Sequence, residues 1–478
     1  MISRELCRAT GLQYILDSLE PLTPFGEALC RKPELYEDEG ALCAELERVR
    51  ALMAYDGLAA LTAAMDRPMM CIKDLRGSLG RCAGGGTLTL LELFELKGLL
   101  LALGEIAPIY YAHCPLAGLD FSNSAPALAI LDPKGERRRS FTIEDAATPA
   151  MFAIRRQKRA VEAELYKTQD EARRAELRLE RDRVCAEEDA EERAICGALG
   201  EALRPYCSAL ESDCEAVGRL DLLLRKAAMG ARWGAVTPEV REGDIAFEQM
   251  TNPAICASVA EHGGHFVPVS IALGRGAAVI TGANMGGKTV ALKTLALNVL
   301  LAMAGYPVCA QSGALPMVGS LLFLSGDAEK TEKGLSSFGG EVVRLRDALR
   351  AHRPDALLLL DEPARGTNPD EGAAIVRGMV EYLNAQPGFA VVATHYDGVS
   401  ERAGRHYRIV GLRDMDPDEV RRELAASGAP GPEIIARHMD YGLYACDPAD
   451  ACPREALDIC RLLGMPEEVM ARIERFYE

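Results

Sequence analysis

Thr281-Gly282-Ala283-Asn284-Met285-Gly286-Gly287-Lys288-Thr289 is the stretch that decides the fold of this chain. It follows a short apolar run, Ala277 to Ile280, and opens an apolar segment of helical character, so it reads as the turn between a strand and a helix. Gly282 and Gly287-Lys288-Thr289 meet the spacing G-x-x-x-x-G-K-[ST]. At that spacing glycines let backbone N–H groups wrap phosphates, a lysine neutralises their charge and a hydroxyl ligates Mg²⁺. The helix that follows adds its positive N-terminal end.

Working outward, Ala356-Leu357-Leu358-Leu359-Leu360-Asp361-Glu362 reads as a buried strand ending in two carboxylates, as a parallel nucleotide-binding sheet requires at its C-terminal edge. Asp361 joins Thr289 as the expected metal pair. Glu362 is the candidate for polarising a water for in-line attack on a γ-phosphate. A second apolar strand, Phe389 to Ala393, ends in Thr394-His395, where an imidazole can sense that phosphate. Between them, Arg365 to Asp370 reads as a polar loop leading into a helix from Glu371. ATP and Mg²⁺ are the expected ligands.

These residues resemble the MutS family, whose loop reads T-G-P-N-M-G-G-K-S-T and which belongs with the ABC-type ATPases. Asn284-Met285-Gly286-Gly287 carries most of the likeness. Gly305 to Ala310 is similar to the family's G-x-y-V-P-A segment, and Leu335 to Glu341 to its S-T-F-x-x-E loop. Asp361-Glu362 through Gly372 resembles D-E-x-x-x-G-T-x-x-x-[DE]-G. Leu22-Thr23-Pro24-Phe25-Gly26 resembles the entry to the family's core helical domain, and Leu220-Asp221 with Ala227-Ala228 its l-D-x-l-x-x-l-A segment. The resemblance implies a homodimer joined through its ATPase domains, with Ser336 reaching the partner's nucleotide. It also implies that Phe266, in Phe266-Val267-Pro268, stacks on the base. Two positions depart from the pattern: Ala283 replaces a proline, and Val290, counted with the nucleotide-binding residues, replaces the second hydroxyl after the lysine.

The chain has 478 residues, 49% hydrophobic and 26% charged, which suits an ordinary globular protein of two to four domains. No membrane-length apolar stretch and no basic leader with an apolar run at Met1 occur, so a cytoplasmic protein is expected. None of the 15 cysteines sits in a C-x-x-C pair, and free thiols in a reducing compartment account for them. A formal net charge of −17 opposes approach to a polyanion. The basic clusters Arg137-Arg138-Arg139 and Arg155-Arg156-Gln157-Lys158-Arg159 read more readily as solvated faces than as a DNA footprint.

The expected fold is multidomain: an α/β P-loop ATPase of ABC-type, MutS-like form, with an all-α core and lever and a small β-hairpin. Residues 1–152 are the helical core, with 128–131 and 140–143 pairing as strands across Pro133-Lys134-Gly135. Residues 153–218 are a helical lever: 155–195 lack Gly and Pro, and Val161, Leu165, Thr168, Ala172, Ala175 and Leu179 mark a seam on two arms of about 30 residues, each about 45 Å long. Residues 219–242 return to the core and hold Trp233, 243–424 are the ATPase domain, and 425–478 end in two helices separated near Gly464 and Pro466. The family's similar helical pair makes that last segment the dimerisation candidate.

Nothing before Arg155 resembles the family's mismatch-reading domain or its connector, and no nuclease-like domain is seen at the C-terminus. The short form looks most like the ATPase subunit that reactivates a cobalamin-dependent lysine aminomutase. Two functions follow: an ATPase that couples nucleotide state to lever movement and remodels such a partner protein, or a DNA-binding clamp acting in repair or recombination.

Overall fold

The computed structural model describes residues 2–114, 116, 118–261, 263–282, 287–325, 337–411, 416, 420–423, 434, 440–449 and 456–477. The chain divides into two compact units, one of residues 1–19, 32–53 and 226–478, the other of residues 20–31 and 54–225.

The first unit holds α1 (Arg4–Thr10), α2 (Leu12–Leu19), α4 (Glu39–Met53) and two sheets, and the second holds α3 (Pro24–Cys30). The helical unit continues with α5 (Leu58–Met69), α6 (Arg76–Ala83), α7 (Leu90–His113), α8 (Ala125–Leu131), α9 (Pro149–Lys167) and α10 (Glu171–Leu203). α11 (Cys207–Trp233) contributes residues to each unit. Two segments far apart in sequence close the helical unit. Asp221, fully buried, accepts from the Thr23 backbone N–H at 2.7 Å and from the Thr23 hydroxyl at 2.8 Å. The Thr23 hydroxyl in turn accepts from Gly26 N–H at 3.0 Å and caps α3. A side chain on Gly26 would strike the Asp221 carboxylate, so only glycine fits there.

The hairpin expected at 128–131 and 140–143 does not form. Ala125–Leu131 is helical, with a proline in its first turn, and 140–143 is not a strand. A short apolar run has no period of its own, and here the preceding Pro126 decides for helix. The polar turn after it is real but is fastened to α7 instead. Lys97, buried, pairs with Asp132 at 3.2 Å and donates to the Ser140 carbonyl at 3.1 Å, so that carbonyl does not serve a strand ladder.

α9 and α10 form an antiparallel pair, shown by ion pairs that step in opposite directions along the two helices: Arg155 with Glu192, Lys158 with Glu188, Arg181 with Glu162, Arg173 with Glu164. The two helices are unequal, at 19 and 33 residues. The expected single seam is corrected. The chain turns at Thr168, the C-cap of α9, and Asp170, the N-cap of α10, and this turn resets the helical phase. Val161 is buried as expected, whereas Ala172, Ala175 and Leu179 are exposed and Leu177 and Val184 fill the second helix's buried positions.

The other unit carries β1 (Glu239–Val240), β2 (Ile245–Met250), α12 (Pro253–Glu261), β3 (Val269–Leu273), β4 (Gly276–Thr281) and α13 (Lys288–Met303). It goes on through β5 (Ser312–Leu315), β6 (Ser320–Ser325), α14 (Ser337–Ala351), β7 (Ala356–Asp361), α15 (Pro369–Asn384), β8 (Phe389–Thr394) and β9 (Arg405–Gly411). β10 (Asp440–Cys446), α16 (Ala456–Leu462) and α17 (Glu467–Tyr477) follow. A smaller sheet runs β1-β5-β2-β3 and a larger one β10-β9-β4-β8-β7-β6. In the larger sheet β9, β4, β8, β7 and β6 are parallel, and β10 lies antiparallel along β9.

β4, β7 and β8 are buried along their whole length, which explains why they read as unbroken apolar runs. Val279, Leu358, Leu360, Ala390 and Val392 pack with Val376, Val380 and Leu383 of α15 and Leu345 of α14 into one cluster. α15 begins at Pro369 behind the Asn368 cap, two residues before the expected start. Among the described residues no helix is long and apolar enough to cross a membrane.

Candidate nucleotide site

The register of the large sheet brings three strand ends together. Thr281 of β4 stands opposite Thr394 of β8, and Ala393 of β8 opposite Asp361 of β7. Gly282, His395 and Glu362, each one residue past its strand, therefore emerge along the carboxyl edge of the sheet, where open α/β sheets place their ligands. Three pieces of sequence far apart along the chain converge because parallel strands end on the same side.

Gly287 adopts a left-handed conformation, φ 88°, and caps α13. Lys288, the first residue of that helix, is buried and turns back: its ammonium donates to the Gly282 carbonyl at 2.7 Å and lies 3.3 Å from a Glu362 oxygen. Thr289 donates its hydroxyl to Asp361 at 2.7 Å. The other Asp361 oxygen is buried without a hydrogen-bond partner among the described residues. Val290 follows in the first turn of α13, and Phe266 lies half-buried on the irregular segment before β3. Asn284, Met285, Gly286 and Ser336 lie outside the described residues.

The two neighbouring carboxylates are driven in opposite directions. Burial pushes the Asp361 carboxyl above its ordinary value, and the Glu362 charge adds to this, while the Thr289 hydrogen bond opposes it. Glu362 is held down at about 2 by the His395 imidazole and by the Lys288 ammonium, against the burial that would raise it. His395 Nδ1 is 3.9 Å from Glu362, beyond hydrogen-bond reach, and forms an ion pair with it only when the ring is protonated. Arg365, on the other side, approaches Glu362 to 3.5 Å.

Glu362 and Ala364 both have positive φ, 49° and 63°, which non-glycine residues sustain only where the surroundings impose it. The restraints are visible. Glu362 N–H donates to the Ala393 carbonyl at 2.9 Å, Ala364 N–H to the Glu341 carboxylate at 2.6 Å, and the Tyr396 hydroxyl to the Ala364 carbonyl at 3.1 Å. Gly372 makes room for that tyrosine, since a Cβ there would lie 2.4 Å from its hydroxyl oxygen. Glu341 and Tyr396 were not singled out from sequence as site residues. The position of Glu341 at the end of Ser336-Ser337-Phe338-Gly339-Gly340-Glu341, and of Tyr396 beside His395, was the signal available.

An oxygen-lined niche of a buried bare carboxylate oxygen and a hydroxyl suits a hard divalent cation, and the lysine and glycines beside it suit phosphate. Mg²⁺ with a nucleoside triphosphate fits both, with Thr289 and Asp361 on the metal side and Lys288 on the phosphate side.

Residues 278–426 match the model of MutS domain V. Similar proteins include the endonuclease MutS2 of Pelotomaculum thermopropionicum, 30% identical over 299 residues that make up 62% of this chain and 35% of that protein. The endonuclease MutS2 of Thermomicrobium roseum is 32% identical over 309 residues, 60% of this chain and 35% of that protein. That of Streptococcus gordonii is 33% identical over 213 residues, 44% and 27%. The chain thus spans about a third of the length of these relatives.

Proposed function

Since this chain belongs to the MutS family, we propose that it binds ATP with Mg²⁺ at the carboxyl edge of its large sheet, hydrolyses it, and uses the nucleotide state to move the α9–α10 arms of a homodimer on DNA. The convergence of Lys288, Thr289, Asp361 and Glu362 from separate strand ends carries the reading. Lys288 would neutralise phosphate charge once its ammonium exchanged Glu362 and the Gly282 carbonyl for phosphate oxygens. That exchange would free Glu362, ionised at neutral pH, to orient a water for in-line attack. Thr289 and Asp361 would hold Mg²⁺, which screens charge on the transferring phosphoryl group. His395, 3.9 Å from Glu362, would sense the γ-phosphate. Phe266, Asn284, Met285, Gly286 and Val290 would complete the nucleotide pocket, and Ser336 that of the partner copy.

The domain plan enters the same proposal: residues 1–152 as core, 153–218 as lever, 219–242 as return segment, 243–424 as ATPase domain and 425–478 as dimerisation segment. As for what the arms act on, the name carried by the relatives favours DNA, which reverses the order suggested by charge and length alone. Their endonuclease activity belongs to proteins of which this chain covers about a third. A partner protein, of the kind of a cobalamin-dependent aminomutase, is the second reading. It is favoured by one observation: three of the four basic residues at the start of α9 are ion-paired within the protein, Arg155 by Glu188, Glu192 and Asp145, Lys158 by Glu188 and Arg159 by Asp145.

Steady-state phosphate release by the full chain decides. Wild type should turn over Mg-ATP, Lys288→Ala should lose nucleotide binding, and Glu362→Gln should bind normally but turn over about 100-fold more slowly, the scale of removing one group matched to the transition state. Stimulation by duplex or junction DNA that fades steeply with added salt supports the DNA reading, and stimulation by an aminomutase instead supports the second. Wild type that fails to bind Mg-ATP would sink the proposal entirely.

A further inference from the structure

β9 and β10 touch the glycine loop at both of its ends, and no role assigned so far explains why. At the entrance, the Thr281 hydroxyl and His406 Nε2 are 2.8 Å apart, both side chains buried. The other ring nitrogen, Nδ1, is 2.9 Å from the Asp447 carbonyl, just past β10, and 3.2 Å from Cys446 Sγ. A carbonyl can only accept, so Nδ1 carries a proton and Nε2 is left to pair with the Thr281 hydroxyl. His406 is thereby a cross-link from the last residue of β4 to the far end of β10. One residue on, Gly282 faces Ile409 of β9 so closely that a Cβ would sit 3.1 Å from the isoleucine Cβ.

At the exit the approach is tighter. A Cβ on Gly287 would lie 2.8 Å from Cδ1 of Tyr441 and 3.6 Å from its Cβ and Cγ, so the tyrosine ring lies directly on the left-handed turn that presents Lys288. Tyr441 reaches that place because β10 is irregular there. Its register against β9 shifts between Asp440 and Leu443, and the Asp440 carboxylate accepts from Gly442 N–H at 2.7 Å, pinning the distortion. Bulges of this kind re-aim a side chain beside a functional site.

We propose that Tyr441 and His406 are positioning residues of the nucleotide site, with the β9–β10 pair bracketing the phosphate loop: the Tyr441 ring fixes the turn at Gly287 and the His406 cross-link fixes Thr281. The inference rests on the loop being a phosphate cradle. Neither residue touches the reacting atoms. Each acts by holding backbone N–H groups in phosphate-binding geometry, so the effect belongs in affinity and KM rather than in kcat. It also gives the segment after β10 a mechanical connection to the site, since Asp447 closes the cross-link at its carbonyl.

Titration calorimetry with Mg-ATP and steady-state kinetics on the full chain test this. Tyr441→Ala should weaken binding about tenfold with kcat within about twofold, the penalty for a loop displaced by a fraction of an ångström, and Tyr441→Phe should restore the affinity because it keeps the ring that lies on Gly287. Thr281→Val, which keeps a branched strand residue but breaks the cross-link, should weaken binding by about threefold, the scale of one modest hydrogen bond. Wild-type affinity in Tyr441→Ala, or a loss in Tyr441→Phe equal to it, overturns the bracket. If Tyr441→Ala does not fold, wild-type affinity in Thr281→Val does the same. A wild type that ignores Mg-ATP removes the cradle itself, whereas a wild type that binds beside unaffected variants removes the bracket alone.

Discussion

Carboxylates at the end of β7 and carboxylates along α10 meet opposite fates in this chain. On α10, Glu188 and Glu192 share the Arg155 guanidinium, and Glu188 also holds Lys158 at 2.5 Å, so these four charges answer one another within the helical pair. At the end of β7, Asp361 keeps a buried oxygen with no hydrogen-bond partner among the described residues, and its neighbour Glu362 is seated on a strained backbone 3.3 Å from the Lys288 ammonium. The difference teaches where this fold spends stability: the Arg155 end of the arms is satisfied from within, and the sheet edge, among the described residues, holds charges on a strained backbone that are less completely paired.

The largest expected break in that comparison concerns Glu362. Its carboxyl sits at about 2 when folded against an ordinary value of 4.5, so the stability it contributes is complete above pH 4.5 and disappears as pH falls toward 2. Glu362→Gln should therefore be less stable than wild type at neutral pH by on the order of 3 kcal/mol, with the gap closing through that window. Chemical denaturation at a series of pH values measures it. A gap that stays constant with pH would show that the pairing with His395 and Lys288 has no energetic consequence.

Next in size is the arm. Arg155 is mostly buried and donates to Glu188 at 2.8 Å, to Glu192 at 3.0 Å and to the Ile143 carbonyl at 2.7 Å. Replacing it by alanine should destabilise the helical unit by about 2 kcal/mol, typical of losing hydrogen bonds to charged groups. Helical signal followed in urea should move, while Mg-ATP affinity should not. If the variant also acquired DNA-stimulated turnover, the neutralised cluster would be masking a DNA contact and the two readings of the partner would merge.

How much of this was legible in sequence follows the same division. The sheet edge is readable because burial on both faces makes β4, β7 and β8 continuous apolar runs, and the candidate site residues come at the ends of such runs. Gly282, Asp361, Glu362 and His395 stand at the ends of the strands read for them, and Lys288 and Thr289 open the helix that follows β4. The supporting shell was not, because Glu341, Ala364 and Tyr396 meet through contacts spanning 23 and 32 residues that a single sequence does not display. In the helical unit the period itself misled. Leu128 to Leu131 is apolar without alternation, and the α9–α10 turn at Thr168 to Asp170 contains neither Gly nor Pro, so a seam was drawn straight through it to Leu179, which is 72% exposed.

The smallest expected effect has the opposite sign and bears most directly on the comparison. Asp361 has its folded pKa pushed up by burial, so its charge penalises the folded state at neutral pH and not below the ordinary carboxylate range near 3.8. Asp361→Asn keeps an oxygen to accept from Thr289 and removes the unanswered charge. In a chelator at neutral pH the variant should be more stable than wild type by about 1 kcal/mol, the lower end of what an unsatisfied buried group costs. The advantage should vanish at low pH, where wild-type Asp361 is protonated. Mg²⁺ with ATP should raise the unfolding temperature of wild type and leave the variant's nearly unchanged, because the ligand that was to answer the charge finds none. Destabilisation of the variant in chelator would mean that the carboxylate is already compensated within the protein, and the sheet edge would then be no different in kind from the arms.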